Sequence, residues 1–220
     1  MSVISGKYLY KDTFLSMLVF LALLQFGCGR SWQARKRFEA GDYFTAPDII
    51  ALCDAIEHGD TSKITELANK GVDLNTTGKD GWCPLLWAVM ADSSAGNKSL
   101  ESLLLLGADP NIPLETSGVE LEKRGIRPGH SIMSIVAGGE STDQLQIVLD
   151  NGGDPNYVNP ENNETPIFDA IDKYRVCGFK HIDMLIEAGA DLNYQNNGGN
   201  TPLIQPESCN YHDLTLHLLE

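Results

Sequence analysis

Basic residues are scarce in this chain. Of 220 residues, 16 are Lys or Arg against 30 Asp or Glu, a formal net charge of −14. Phosphate recognition needs clustered cations that displace counterions, so this composition excludes nucleic acid as the main partner. The motifs of familiar chemistry are missing too. His58, His130, His181, His212 and His217 form no His-Glu-x-x-His, no cysteines stand in pairs at zinc-binding spacing, and there is no glycine-rich phosphate loop. Gly129-His130-Ser131-Ile132-Met133 opens like a nucleophile elbow but closes on Met instead of Gly. The carboxylates are plentiful, yet a glycosidase needs two of them held across a cleft, and no spacing here announces such a pair. The expectation is a non-enzyme without cofactor or metal, its histidines at turns and surfaces.

Long apolar runs are absent as well, with one exception near the start. Leu15 to Leu24 is apolar apart from Ser16, and it is about half of the roughly 20 residues a spanning helix needs. Lys7 and Lys11 precede it and Gly27-Cys28 closes it, so residues 1–27 read as a secretory signal. Gly27-Cys28 resembles the lipobox of bacterial lipoproteins, which implies cleavage before Cys28 and lipidation of its thiol. Gln25 stands where that family usually has Leu, and an ordinary Cys behind a signal peptide is the competing reading. Gly29 is not the Asp that in that family retains a lipoprotein at the inner membrane, so the resemblance implies a periplasmic protein anchored to the outer membrane. Membrane contact is expected only through this N-terminal anchor. Residues 28–46 then form a lipid-anchored linker in which Arg30, Arg35, Lys36 and Arg37 either touch anionic lipid or are simply solvated. With so many of the cations before residue 45, the remainder is more acidic than the chain's overall −14.

The rest of the chain is repetitive. Gly71-Val72-Asp73-Leu74-Asn75, Gly107-Ala108-Asp109-Pro110-Asn111, Gly152-Gly153-Asp154-Pro155-Asn156 and Gly189-Ala190-Asp191-Leu192-Asn193 are variants of one phrase. Each follows an apolar segment of helical period, such as Leu103 to Leu106 or Ile182 to Ile186. Glycine supplies the left-handed residue that ends a helix, and Asp and Asn satisfy backbone groups in the turn beyond it. A second phrase restarts the helix: Trp82-Cys83-Pro84-Leu85, Ser131-Ile132-Met133, Thr165-Pro166-Ile167 and Thr201-Pro202-Leu203. A Thr or Ser cap with Pro at the first helical position is a strong start signal.

These two phrases resemble those of ankyrin repeats, over about Pro47 to Glu220. The resemblance implies an all-α solenoid of about five helical hairpins with short β-turn fingers. The pair from Asp48 to Lys70 lacks the start phrase and reads as an N-terminal cap, turning at His58-Gly59-Asp60. Asn75, Asn111, Asn156 and Asn193 stand 36, 45 and 37 residues apart, against about 33 for the family. The surplus is expected to loop out at Asp92 to Lys98 and around Lys173 to Lys180, between paired helices. The largest insertion, Ile112 to Pro128, lengthens one finger or is disordered. Pro206 falls inside the last repeat's first helix and is expected to stop it early.

The repeat register also yields site residues. Asp54, Trp87, Ile135, Asp169 and Gln205 fall in one column along the first helices, the face such stacks use for binding. Trp82 stands at a finger base and Lys79-Asp80 at its tip, and Trp87 is the first candidate because Trp is favoured in interface hot spots. Core packing is the alternative for Trp87. The inserted finger offers Glu115, Lys123, Arg124 and Arg127. Four cysteines besides Cys28 allow three pairings, and the register favours Cys53 with Cys83 and Cys177 with Cys209. Buried free thiols are the competing reading.

An exported ankyrin stack is similar to the periplasmic ankyrin proteins associated with type VI secretion lipase effectors. That resemblance implies an immunity protein whose partner is a secreted toxin such as a phospholipase. The alternative is a periplasmic scaffold for a cell-envelope or stress-response protein.

Overall fold

Helix stops and starts alternate along the chain at the positions of the two phrases. The computed structural model describes residues 38–91, 93–205 and 211–219. The signal, the Cys28 lipidation site, Pro206 and Cys209 lie outside the described residues. The helices are α1 (Ala40–Tyr43), α2 (Pro47–His58), α3 (Thr61–Asn69), α4 (Pro84–Met90), α5 (Ser93–Leu105) and α6 (Val119–Glu122). They continue with α7 (Ile132–Ala137), α8 (Thr142–Asp150), α9 (Pro166–Asp172), α10 (Tyr174–Cys177), α11 (Lys180–Glu187) and α12 (His212–Leu219). No strand occurs among the described residues.

The hairpins stack in two layers. First helices α2, α4, α7 and α9 pack in a row, and second helices α3, α5, α8 and α11 pack in a row behind them. Leu52, Ile56, Ile64, Leu86, Leu100, Leu103, Met133, Leu145, Ile167 and Ile182 are sealed between the layers. Each such Leu or Ile contributes roughly 1.5–3 kcal/mol by leaving water. This is the all-α solenoid that the two phrases imply.

The turn phrase does more than stop helices. Gly71, Gly107, Gly152 and Gly189 all have φ near +90°, and the following residue's N–H reaches back to the last helical turn, as from Ala108 to the Leu103 carbonyl at 3.0 Å. In each turn the Asp carboxylate accepts the N–H of the Asn two residues on, at 2.8–2.9 Å. The first three of these Asn residues also reach the next repeat. Asn75, Asn111 and Asn156 Oδ1 accept the N–H of Asp109, Asp154 and Asp191 at 2.8, 2.8 and 2.7 Å. The residues that read as local turn formers therefore also clamp neighbouring hairpins.

Helix starts are more varied. Ser131 Oγ accepts the Ser134 N–H at 3.3 Å. Cys83 takes the place of the usual Thr, and its Sγ accepts the Leu86 N–H at 3.4 Å. Thr165 begins α9 but its Oγ1 is buried without a partner, so Pro166 with its preset φ carries that start.

Three expectations are corrected. Ser93 to Lys98 do not loop out; they form the opening turns of the 13-residue α5. The surplus near Lys173 adds a further helical turn, α10, closed by Gly178 at φ 67°. The packed body begins at Glu39, not at Pro47, because Phe44 is itself buried at 5% exposure.

Candidate functional site

Three features lie along the first-helix layer and its fingers. The first is an aromatic cluster. Trp82 and Trp87 stand 5.1 Å apart between ring centroids, Tyr43 is 4.9 Å from Trp82, and Phe44 is 6.2 Å from Trp87. The Trp87 indole N–H donates to Glu57 on α2 at 3.2 Å. Trp82 and Trp87 are 1% and 3% exposed, so neither is the binding anchor expected from the sequence. The chain's own N-terminal segment has taken the place of a partner. The signal for this was present in Tyr43-Phe44, which reads as linker until Trp87 is known to need a cover.

The second feature is the inserted finger. Leu114 N–H donates to the His130 carbonyl and Gly129 N–H to the Leu114 carbonyl, both at 2.8 Å, so the insertion starts and ends at one point. Between these ends α6 forms, and Leu114, Leu121 and Ile126 are buried. The segment is an ordered lobe, not a disordered loop. It lies on the first finger: Gly118 N–H donates to the Asp80 carbonyl at 3.1 Å. Gly81, at φ 81°, is packed so closely that a Cβ there would come within 1.9 Å of the Thr116 carbonyl oxygen. The charged residues Glu115, Lys123, Arg124 and Arg127 face outward, with Lys123 pairing with Glu120 at 3.5 Å. Lys79 and the Asp80 side chain are exposed beside them.

The third feature is a cleft of about 280 Å³ between this lobe, α7 and α9. Arg124, Arg127, His130, Ser134, Ile135 and Asp169 are among its walls. It thus unites four residues expected at separate sites, Arg124, Arg127, Ile135 and Asp169. Ile135 is only 9% exposed and shapes the wall. Asp169 and His130 expose 18% and 9% of their side chains, with His130 Nε2 3.6 Å from Asp169 Oδ1. Burial, then the charge of Arg127, lowers the His130 pKa to about 4. Burial, then Glu164 and Asp172, holds Asp169 well above the ordinary carboxylate range, with Ser134 and Arg127 opposing. Glu164 is raised for the same first reason. Both members of the His130–Asp169 contact are therefore pushed toward neutrality, so it is not an ion pair.

The remaining column residues diverge. Asp54 is 75% exposed and lies beside His58. Gln205 ends a single turn after Thr201, its N–H and that of Ile204 both donating to the Thr201 carbonyl at 2.9 Å. Two histidines were missed as interior groups: His130 is 7% exposed and His181 1%. His181 shares the inward face of α11 with Ile182 and Leu185, a helical spacing visible in the sequence. The expected Cys53–Cys83 bridge is not formed; both are free thiols. Burial pushes Cys53 up to about 12 and Cys83 to about 11, which keeps both protonated and unreactive. The Cys177–Cys209 pairing reaches beyond the described residues.

Residues 80–113 match the family model of the Ankyrin repeat. That stretch holds the end of the first finger, α4, α5 and the turn after them. The same phrases recur at the other hairpins, and the architecture is that of an all-α ankyrin-repeat solenoid, a scaffold for binding other proteins. No curated protein shows a significant match to the chain.

Proposed function

We propose that the chain is a protein-binding ankyrin module of the bacterial envelope, an immunity protein that neutralises a type VI secretion phospholipase effector. The observation that carries this reading is the pairing of an export signal ending at Gly27-Cys28 with an ankyrin stack. Such a protein is exported to the periplasm and held at the outer membrane by lipid on Cys28. Its acidic surplus suits a basic toxin surface and a salt-sensitive complex. The lobe and cleft present polar groups where a partner would dock, and neither feature contains a motif for catalysis.

The test is genetic and then biochemical. Deletion of the gene should be toxic only while the lipase effector encoded beside it is active, and the purified proteins should bind at low salt. A deletion defect that persists after the effector is inactivated, or failure of the two proteins to bind, overturns the immunity reading and favours an envelope scaffold.

A further inference from the structure

Asparagine followed by glycine occurs twice in the sequence, at Asn151-Gly152 and Asn197-Gly198. The pair is chemically weak, because glycine has no side chain to keep its backbone nitrogen away from the amide carbon of the asparagine before it. The fold treats the two pairs differently. Asn151 follows α8 and is half-buried, and its Nδ2 donates to the Ile147 carbonyl at 2.8 Å, which turns the amide back along the helix. Gly152 is fixed from the neighbouring hairpin: its carbonyl accepts Asn111 Nδ2 at 2.9 Å, and its φ of 94° ends the helix there.

Asn197 and Gly198 stand in the last finger, and both are exposed. Their turn is closed by bonds within residues 196–200. Asn196 N–H donates to the Asn200 carbonyl at 3.0 Å and Gly199 N–H to the Asn196 carbonyl at 2.9 Å. Asn196 Oδ1 accepts the Gly198 and Asn200 N–H groups at 2.9 and 3.1 Å. The Asn197 side chain forms no hydrogen bond among the described residues, so nothing ties its amide away from Gly198. One brake remains: the Gly198 N–H must leave Asn196 Oδ1 before its nitrogen can react. That bond lies at the surface, where water competes for both groups.

We propose that Asn197 is a site of spontaneous deamidation and that the fold protects Asn151 from the same reaction. The Gly198 nitrogen gives up its proton to solvent and attacks Asn197 Cγ; the new C–N bond forms as the Cγ–Nδ2 bond breaks, and Nδ2 leaves as ammonia. Water then opens the cyclic imide at either carbonyl, giving aspartate or, with the chain rerouted through the side chain, isoaspartate. Nothing is oxidised or reduced. Either product adds a negative charge to the finger. Isoaspartate also lengthens the main chain by a methylene, so Asn196 Oδ1 no longer bridges the Gly198 and Asn200 N–H groups. Asn196 Nδ2 donates to Glu164 at 3.3 Å, and Glu164 lines the cleft under the lobe. The altered turn therefore bears on the cleft wall.

The full-length protein and free peptides copying residues 148–155 and 194–201 are kept at mildly alkaline pH in heavy-oxygen water, and deamidation at each asparagine is followed by peptide mapping and mass spectrometry. Each rate in the folded protein is divided by that of its own peptide. This ratio should be at least tenfold larger for Asn197 than for Asn151, and both aspartate and isoaspartate should form at Asn197. Gly198→Ala should slow Asn197 at least tenfold, and it fits the turn, since a Cβ there would meet nothing nearer than Asn196 Oδ1 at 3.2 Å. The proposal is overturned if the Asn151 ratio equals or exceeds that of Asn197, if Asn197 stays intact while its free peptide is consumed, or if Gly198→Ala leaves the rate unchanged. The first two outcomes are read on the unmodified protein, so they decide the matter without any variant.

Discussion

Trp87 and Asp169 hold the same place in two repeats, four residues beyond the cap positions Cys83 and Thr165. Their environments have opposite histories. Trp87 is 3% exposed because Phe44 and Tyr43 of the same chain cover it. Asp169 stays open to a cleft because the lobe that roofs it brings polar groups instead of rings. One end of the layer has spent its hydrophobic surface on folding, while the other lines a polar cleft with His130, Ser134 and Asp169. Residue type alone therefore misleads about binding: the better hot-spot residue is the structural one.

Substitution at the aromatic end should cost most. Trp87→Ala is expected to lose about 4 kcal/mol in a denaturant melt, from lost burial and the cavity left behind. If Trp87 were a surface anchor, stability would barely change. Phe44→Ala should cost about 3 kcal/mol and red-shift the tryptophan emission as the cover loosens. An unchanged spectrum would mean the N-terminal segment is not what seals the indoles.

The polar end should reveal itself through pH. His130 has a folded pKa of about 4, below its ordinary 6.5, so between these values the unfolded chain binds the extra proton. Stability from this group is full above pH 6.5 and is lost as pH falls toward 4, by up to about 3 kcal/mol. Asp169 and Glu164, with raised pKa values, act in the opposite sense: the folded chain holds their protons longer. Subtracting the pH–stability curve of His130→Gln from that of the wild type isolates the histidine's part. A His130 NMR titration midpoint near 6.5 would show that the ring is not buried as described.

Smaller effects bound the comparison. Asn111→Ala removes bonds to the Asp154 N–H and the Gly152 carbonyl, and on this exposed turn should cost about 1 kcal/mol by melting. Asp54→Ala, at the exposed start of the column, should stay within about 0.5 kcal/mol. A larger loss there would place an unseen contact on α2.

Much of this was legible beforehand because the relevant physics is local. Helix stops at Gly71, Gly107, Gly152 and Gly189 need a left-handed residue, and few residues adopt that conformation freely, so the phrase shows in the sequence. The surplus after Met90 was not legible as helix, since Ser, Gly and Asn are weak helix formers. It is helical because Leu100 and Leu103 are buried and Ser99 Oγ donates to the Ile56 carbonyl at 2.9 Å. Packing overrode propensity there.

The cysteines show the same division. Cys83 was placed correctly at a helix cap, a local property, but its pairing with Cys53 required side-chain geometry that the register could not supply. Repeat boundaries and helical hairpins follow from the order of residues alone, because each depends on neighbours within a turn or two. What covers Trp87, and why His130 faces Asp169 across an open cleft, depends on contacts between segments 43 and 39 residues apart in the chain. Only the folded stack brings those segments together, because the space left over between helices and fingers is a property of their packing and not of any one of them.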